Sequence, residues 1–295
     1  MNNSFESLTG LPVFAGYVFF FALGAIIGSF LNVVIHRVPL EESVIFPNSA
    51  CPKCGKEIKF YDNIPFLSWL ILGGKCRNCK SAISPRYVAV ELLTGLFFVL
   101  VFWRIGFNPF LPVTLTFVSA IIALIFIDAE NMILPNVITY PLLAFAFLVR
   151  IIFPIFVGAR YFTDIRSFPP TYFQDSPLWL VSLVGAVFGA LVGGGSLWLV
   201  GEIWKRLRGV EAMGLGDVKM MFAVGALIGW KLAFLAIFIG AFSGAIIGII
   251  FIARQKDKSL QTLIPFGIFL GIGSIVALLF GDAIINWYFE NFIPR

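Results

Sequence analysis

The sequence predicts an all-α, polytopic membrane protein with about eight transmembrane helices and one small polar domain. Three observations predict it. Hydrophobic residues make up 59% of the 295 positions and charged residues only 13%, where a soluble domain is about 45–50% apolar and about 25% charged. The apolar residues gather into runs long enough to cross about 30 Å of hydrocarbon. All four cysteines fall between positions 51 and 79, within the one polar stretch large enough to fold by itself. A single soluble core is excluded, because so little polar sequence could not cover it.

The spans are expected at 11–35, 88–105, 111–127, 137–157, 178–200, 215–230, 232–253 and 263–287. The first is read as a retained helix. No Lys or Arg precedes it, and its apolar run exceeds the 7–15 residues of a signal peptide's hydrophobic region. The sixth is short and opens in a glycine-rich turn, so it must thin the bilayer or sit among longer neighbours. Residues 1–35 thus form the first helix, 36–87 the polar domain, and 88–295 the remaining helices. Gly193-Gly194-Gly195 lies inside the fifth span, where glycine serves close helix packing. It follows no strand, so it is not a nucleotide-binding fingerprint. The segment 159–177 reads as an interfacial cap and is assigned no chemistry.

Basic residues orient the chain. The loop after the first span carries Arg37, Lys53, Lys56, Lys59, Lys75, Arg77, Lys80 and Arg86. Lys205, Arg206 and Arg208 follow the fifth span, and Arg254, Lys256 and Lys258 the seventh. The opposite side has Arg104, Arg160, Arg166, Lys231 and Arg295. The excess places the first set, and with it the 36–87 domain, in the cytoplasm and both termini outside.

Within that domain, Cys51-Pro52-Lys53-Cys54 and Cys76-Arg77-Asn78-Cys79 form two CxxC units. Each such turn aims two thiolates at one point, and two turns complete a tetrahedral sulfur site suited to zinc. A reducing cytoplasm favours thiolates over disulfides. Four sulfur ligands leave no position for water, so this zinc would be structural. An iron–sulfur cluster is the alternative occupant, and unrelated loop cysteines the plain one.

Among sixteen acidic residues, Glu91, Asp128, Asp217 and Asp282 fall near hydrocarbon. An ionisable side chain there is costly and marks function by default. Asp128 ends the third span, which runs inward. Asp217, in Gly214-Leu215-Gly216-Asp217, opens the sixth, which runs outward. Both are therefore expected at the cytoplasmic edge, as a carboxylate dyad requires. Two close carboxyls share one proton. One can then take a proton from water attacking a peptide carbonyl while the other protonates the departing groups. Gly214 and Gly216 would let a substrate backbone approach. The plain alternatives are an interfacial Asp128 and an Asp217 that caps its helix. Lys219 would snorkel to the interface. Glu91 would bind substrate or pair with Arg86, and Asp282 is read as interfacial near the outer end of the last span.

At these residues the chain resembles the prepilin peptidase family, the type IV leader peptidases and N-methyltransferases. The resemblance starts at Gly28-Ser29-Phe30-Leu31-Asn32 and runs through His36-Arg37, both CxxC pairs and Asp62-Asn63-Ile64-Pro65-Phe66. It continues through Gly74-Lys75-Cys76-Arg77, Ile83-Ser84-Pro85-Arg86-Tyr87 and Glu91. It closes on Asp128, Leu134-Pro135-Asn136 and Gly-Leu-Gly-Asp217-Val-Lys219. Val88 stands where the family often has Pro, and Asn136 where it often has Asp. The resemblance implies a catalytic pair at Asp128 and Asp217, in a bacterial inner-membrane enzyme that cuts a short basic leader, usually between Gly and Phe. The substrates it implies are type IV prepilins or pseudopilins, and the new N-terminus would be methylated from S-adenosylmethionine. Beside the lipid bilayer and those substrates, no nucleic-acid partner is expected. A peptidase without methyl transfer is the nearest alternative. A transporter with a zinc-bearing domain is the other, but it would place its acids near the midplane of the bilayer.

Overall fold

The computed structural model describes residues 3–154, 177–210, 213–254 and 265–292. Apart from isolated bridges, the described residues contain helices and no strand. Six helical stretches are long and apolar enough to cross a membrane: Val13–Leu40, Pro85–Ile105, Leu111–Asn131, Leu178–Arg208, Trp230–Phe251 and Phe266–Phe292. The other two expected spans also form helices, but shorter ones, at Asn136–Ile152 and Leu215–Ile228. Fourteen residues reach only about 21 Å against the roughly 30 Å of a hydrocarbon core. The expected cap at 159–177 lies outside the described residues except for Pro177.

The chain forms two compact units, Met1–Ala123 and Leu124–Arg295. The first contains α1 (Asn3–Thr9), α2 (Val13–Arg37), the short α3 (Leu67–Ile71) and α4 (Pro85–Ile105). Helix α4 is started by Ser84, whose hydroxyl accepts from the Arg86 amide, with Pro85 at the first helical position. Helices α2 and α4 run antiparallel along a line of small residues. A β-carbon on Gly24 would come within 2.8 Å of Gly95 Cα, and one on Gly28 within 2.7 Å of Glu91 Cα. Such close backbone approach is how helices pack where lipid removes the hydrophobic drive. Farther along, Asn32 Nδ2 donates to the Tyr87 carbonyl at 2.9 Å. At the other end Phe5, Tyr17 and Phe20 pack their rings against Phe102.

Helix α5 (Leu111–Asn131) buries Phe117, Val118, Ile121, Leu124 and Ile127. The second unit then adds α6 (Asn136–Ile152), α7 (Leu178–Ala190), α8 (Ser196–Arg208), α9 (Leu215–Ile228), α10 (Trp230–Arg254) and α11 (Phe266–Phe292). A π-turn over Leu191–Gly195 joins α7 to α8. Helix α9 is the centre of this unit. It packs on α6, α7 and the π-turn, and most of its residues are buried. Protein surrounds most of it, as suits a span too short to cross lipid alone. The glycine run serves this packing: Gly189 meets the backbone of Gly225, and Gly193 that of Met221.

Candidate catalytic centre and metal site

Three helix ends meet at one point in the second unit. Asp128 lies in the last turn of α5, where the Met132 amide donates to the Asp128 carbonyl and Met132 turns the chain away at a φ of 54°. Asp217 is the third residue of α9, behind the extended Gly214 that caps it. Gly267 and Ile268 are the second and third residues of α11. Amides in a first helical turn have no partner inside the helix. The Ile268 amide uses that freedom to donate to Asp128 Oδ2 at 3.2 Å.

The two carboxyl groups face each other across Gly267. A β-carbon on that glycine would lie 2.8 Å from Asp128 Oδ2 and 2.9 Å from Asp217 Oδ1. The oxygens are therefore no farther apart than the sum of those distances, close enough to hold one water between them. Asp128 is 5% exposed and Asp217 8%. Asp217 Oδ1 is buried with no hydrogen-bond partner among the described residues. The structure thus brings together Asp128 and Asp217, with Gly214 beside them: a β-carbon there would lie 3.6 Å from Asp217 Oδ2.

The other acids and the flanking groups are placed differently. Gly216 faces Leu134, whose Cβ is 2.8 Å from where its own would be. Lys219 does more than snorkel: its Nζ donates to Asn136 Oδ1 at 2.8 Å and lies 5.1 Å from the Tyr140 ring centre. Glu91, 8% exposed, accepts from the Phe66 amide at 2.7 Å, so it ties the polar domain to α4. Phe66 itself has a φ of 49°. Gly267 and Ile268 were not singled out by the sequence. Pro265 and Gly267 before a long apolar helix were the available signal, yet many loops begin helices that way.

The polar domain is built on two similar knuckles. In each, the first cysteine amide bonds back to the carbonyl five residues on, Cys51 to Lys56 at 2.9 Å and Cys76 to Ser81 at 2.8 Å. The residue after the second cysteine takes a left-handed conformation, Gly55 at φ 68° and Lys80 at φ 59°. All four Sγ atoms lie within 4.8 Å of one another. Cys51 and Cys79 Sγ are 3.8 Å apart. A sulfur tetrahedron with metal–sulfur bonds of about 2.3 Å has edges of about 3.8 Å, whereas a disulfide needs about 2.05 Å. The amides of Cys54 and Lys53 bring the Cys51 thiol down to about 6. Cys54 goes to about 11: the Lys56 amide lowers it, but burial and the sulfurs of Cys51 and Cys79 raise it more. Four crowded thiols ionise together only with a cation among them, so the set fits a divalent metal. Beside it, Arg77 forks onto Asp62 at 2.6–3.1 Å and holds that carboxyl below its usual range.

A helical membrane protein with a buried aspartate pair at helix ends, and a separate four-cysteine domain, has the class of an intramembrane aspartyl peptidase. The chain belongs to the type IV leader peptidase family, whose profile matches residues 115–249. The bacterial peptidase A24 N-terminal domain matches residues 22–105. Similar proteins are a prepilin leader peptidase/N-methyltransferase of Pseudomonas aeruginosa, 37% identical over 91% of both chains, and one of Aeromonas hydrophila, 37% identical over 98% of both. Another with that name, from Legionella pneumophila, is 32% identical over 89% of this chain and 90% of its own. No solved structure matches the chain.

Proposed function

We propose that this protein removes the leader peptide from type IV prepilins or pseudopilins and methylates the N-terminus it exposes. The observation that carries the reading is the convergence of Asp128 Oδ2 and Asp217 Oδ1 on Gly267. Two carboxyls at that separation share one proton. The ionised member takes a proton from water, whose oxygen attacks the scissile carbonyl. The protonated member gives its proton to the carbonyl oxygen as the tetrahedral intermediate forms. Collapse of that intermediate breaks the C–N bond, and the proton taken from water passes to the departing amine. No covalent enzyme intermediate is needed. Two helix N-termini, of α9 and α11, point at the site and favour the negative charge that develops there. Gly214 lies open beside Asp217 and is the position we assign to the substrate backbone. Gly216 and Glu91 are engaged within the protein, by Leu134 and the Phe66 amide.

The four cysteines would hold zinc, and its work is to fix the fold of residues 36–87. S-adenosylmethionine, the donor such methylation uses, has no comparable fit. The described residues contain no strand–turn–helix glycine cradle for a nucleoside, so no residue is assigned to it and no step is derived through it. The distribution of basic residues supports a bacterial inner-membrane protein with eight passes, the 36–87 domain in the cytoplasm and both termini outside. Cleavage of a purified model prepilin in detergent tests the reading. Proteolysis by wild type and none by Asp217→Ala is the expected result. Solute flux in liposomes without cleavage would favour a transporter instead.

A further inference from the structure

We propose that the start of α11 is a third element of the reaction centre: Gly267 keeps the facing oxygens of Asp128 and Asp217 open to the reacting water, and the Ile268 amide positions Asp128. This rests on the aspartyl peptidase reading and adds residues that neither family match reaches, since those matches end at 105 and 249.

Three independent features support it. The first is steric. Any side chain at 267 would begin 2.8 Å from Asp128 Oδ2 and 2.9 Å from Asp217 Oδ1, closer than a carbon can approach either oxygen comfortably. It would also crowd both groups that must act on one water. The second is the hydrogen bond from the Ile268 amide to Asp128 Oδ2. A rigid helix end thereby fixes the rotamer of a side chain that hangs from the last turn of α5. The third is Asp217 Oδ1, a buried oxygen without a partner among the described residues. Buried polar atoms are nearly always satisfied, and this one is aimed at the same point. Gly267 is itself buried, in a helix otherwise packed along α10. Elsewhere on that helix a glycine makes room for neighbouring helix backbone, as Gly273 does for Ala236. At 267 the neighbours are the two carboxylates instead.

The test is Gly267→Ala in the full-length protein, assayed on a purified model prepilin. Alanine favours a helix over glycine, and the three atoms nearest a β-carbon at 267 all belong to the two carboxyl groups, so the change should strike the site and not the helix packing. The expected result is a kcat lowered by about 100-fold, the cost of misplacing reacting groups by about an ångström. KM should stay within about threefold, because ground-state binding is untouched, and the melting temperature should not fall. A kcat within about threefold of wild type would overturn the steric role. A variant that melts early is decided by a second measurement, amide hydrogen exchange at Ile268 in Asp128→Ala. Exchange at least about tenfold faster than in wild type, with α11 otherwise protected, supports the positioning contact. Unchanged exchange refutes it. If wild type itself cuts no prepilin while Ile268 is still deprotected in Asp128→Ala, the contact stands and the peptidase reading fails.

Discussion

Lys219 Nζ donates to Asn136 Oδ1 across 2.8 Å, and this bond ties the turn that bears Asp217 to the chain that follows Asp128. Gly216 packs on Leu134 in the same place, so two contacts hold the aspartate-bearing segments in register. Loss of a charge-assisted hydrogen bond of this kind costs about 1.5 kcal/mol or more when buried, and less here because both groups are partly exposed. Lys219→Ala should lower kcat by up to about tenfold, with partial rescue by Lys219→Arg. Asn136→Asp should keep activity and melt no earlier than wild type, since a carboxylate accepts more strongly from an ammonium than an amide does. A Lys219→Ala enzyme with wild-type kcat would remove the clamp.

The proposed dyad of Asp128 and Asp217, whose oxygens meet at Gly267, requires both groups to titrate. Asp128→Asn and Asp217→Asn keep the shape but can neither take nor give the proton, so each should lower cleavage by at least about 100-fold. Asp→Ala at either position should do the same while the protein still inserts and folds. Near wild-type cleavage by any one of these variants would break the assignment.

Most of this arrangement was legible in the sequence because membrane burial makes acids rare. Asp128 and Asp217 stood out against long apolar runs, and the two CxxC units foretold by spacing alone that the four sulfurs lie together. The helix positions followed hydropathy closely, with α6 shorter than expected and α9 short and largely buried by protein. Gly267 was not legible. Its role depends on which side chains lie opposite its missing β-carbon, and no local pattern encodes that. One contact of Glu91 was hidden for a related reason. Its acidic character in an apolar helix suggested substrate or Arg86, and its bond from the Phe66 amide involves a backbone group without a sequence signature.

The clustered sulfurs of Cys51, Cys54, Cys76 and Cys79 should bind one zinc per chain. Metal analysis of protein purified in reducing buffer checks this, and undetectable metal with four titratable thiols would refute it. Because the thiols must lose their protons to bind, acidification should release the metal. Cys76→Ser should loosen residues 36–87, seen as faster proteolysis there, before it affects cleavage by the aspartates, since a closed four-sulfur site is structural.

The proposed topology, which rests on the basic loops, has the cysteine domain inside the cell. Intact cells carrying the wild-type protein should therefore resist an impermeant thiol reagent, while Lys231→Cys should label from outside. Permeabilisation with a chelator should expose the four native thiols. Labelling of the native thiols in intact cells, with none at position 231, would reverse the orientation and put the aspartates on the wrong face for a cytoplasmic leader.

Methyl transfer should be separable from proteolysis. Cleavage leaves an α-amine whose reference pKa is about 7.7–8.0, and only its neutral form can attack a methyl group. Transfer should therefore rise with pH up to about 8 and then level off. Nothing in that step calls for the carboxyls of Asp128 and Asp217, which in the proposed mechanism serve the peptide carbonyl. Purified Asp217→Ala protein, given a mature pilin and labelled S-adenosylmethionine, should still methylate it. Cys76→Ser should fail to do so, if the 36–87 domain supports the transfer. No label with Asp217→Ala on mature pilin, and none with wild type on intact prepilin, would leave this protein a peptidase alone. Label with wild type on prepilin but none with Asp217→Ala on mature pilin would instead show that the amine is passed on directly from the cleavage site, and that the two reactions share the aspartates.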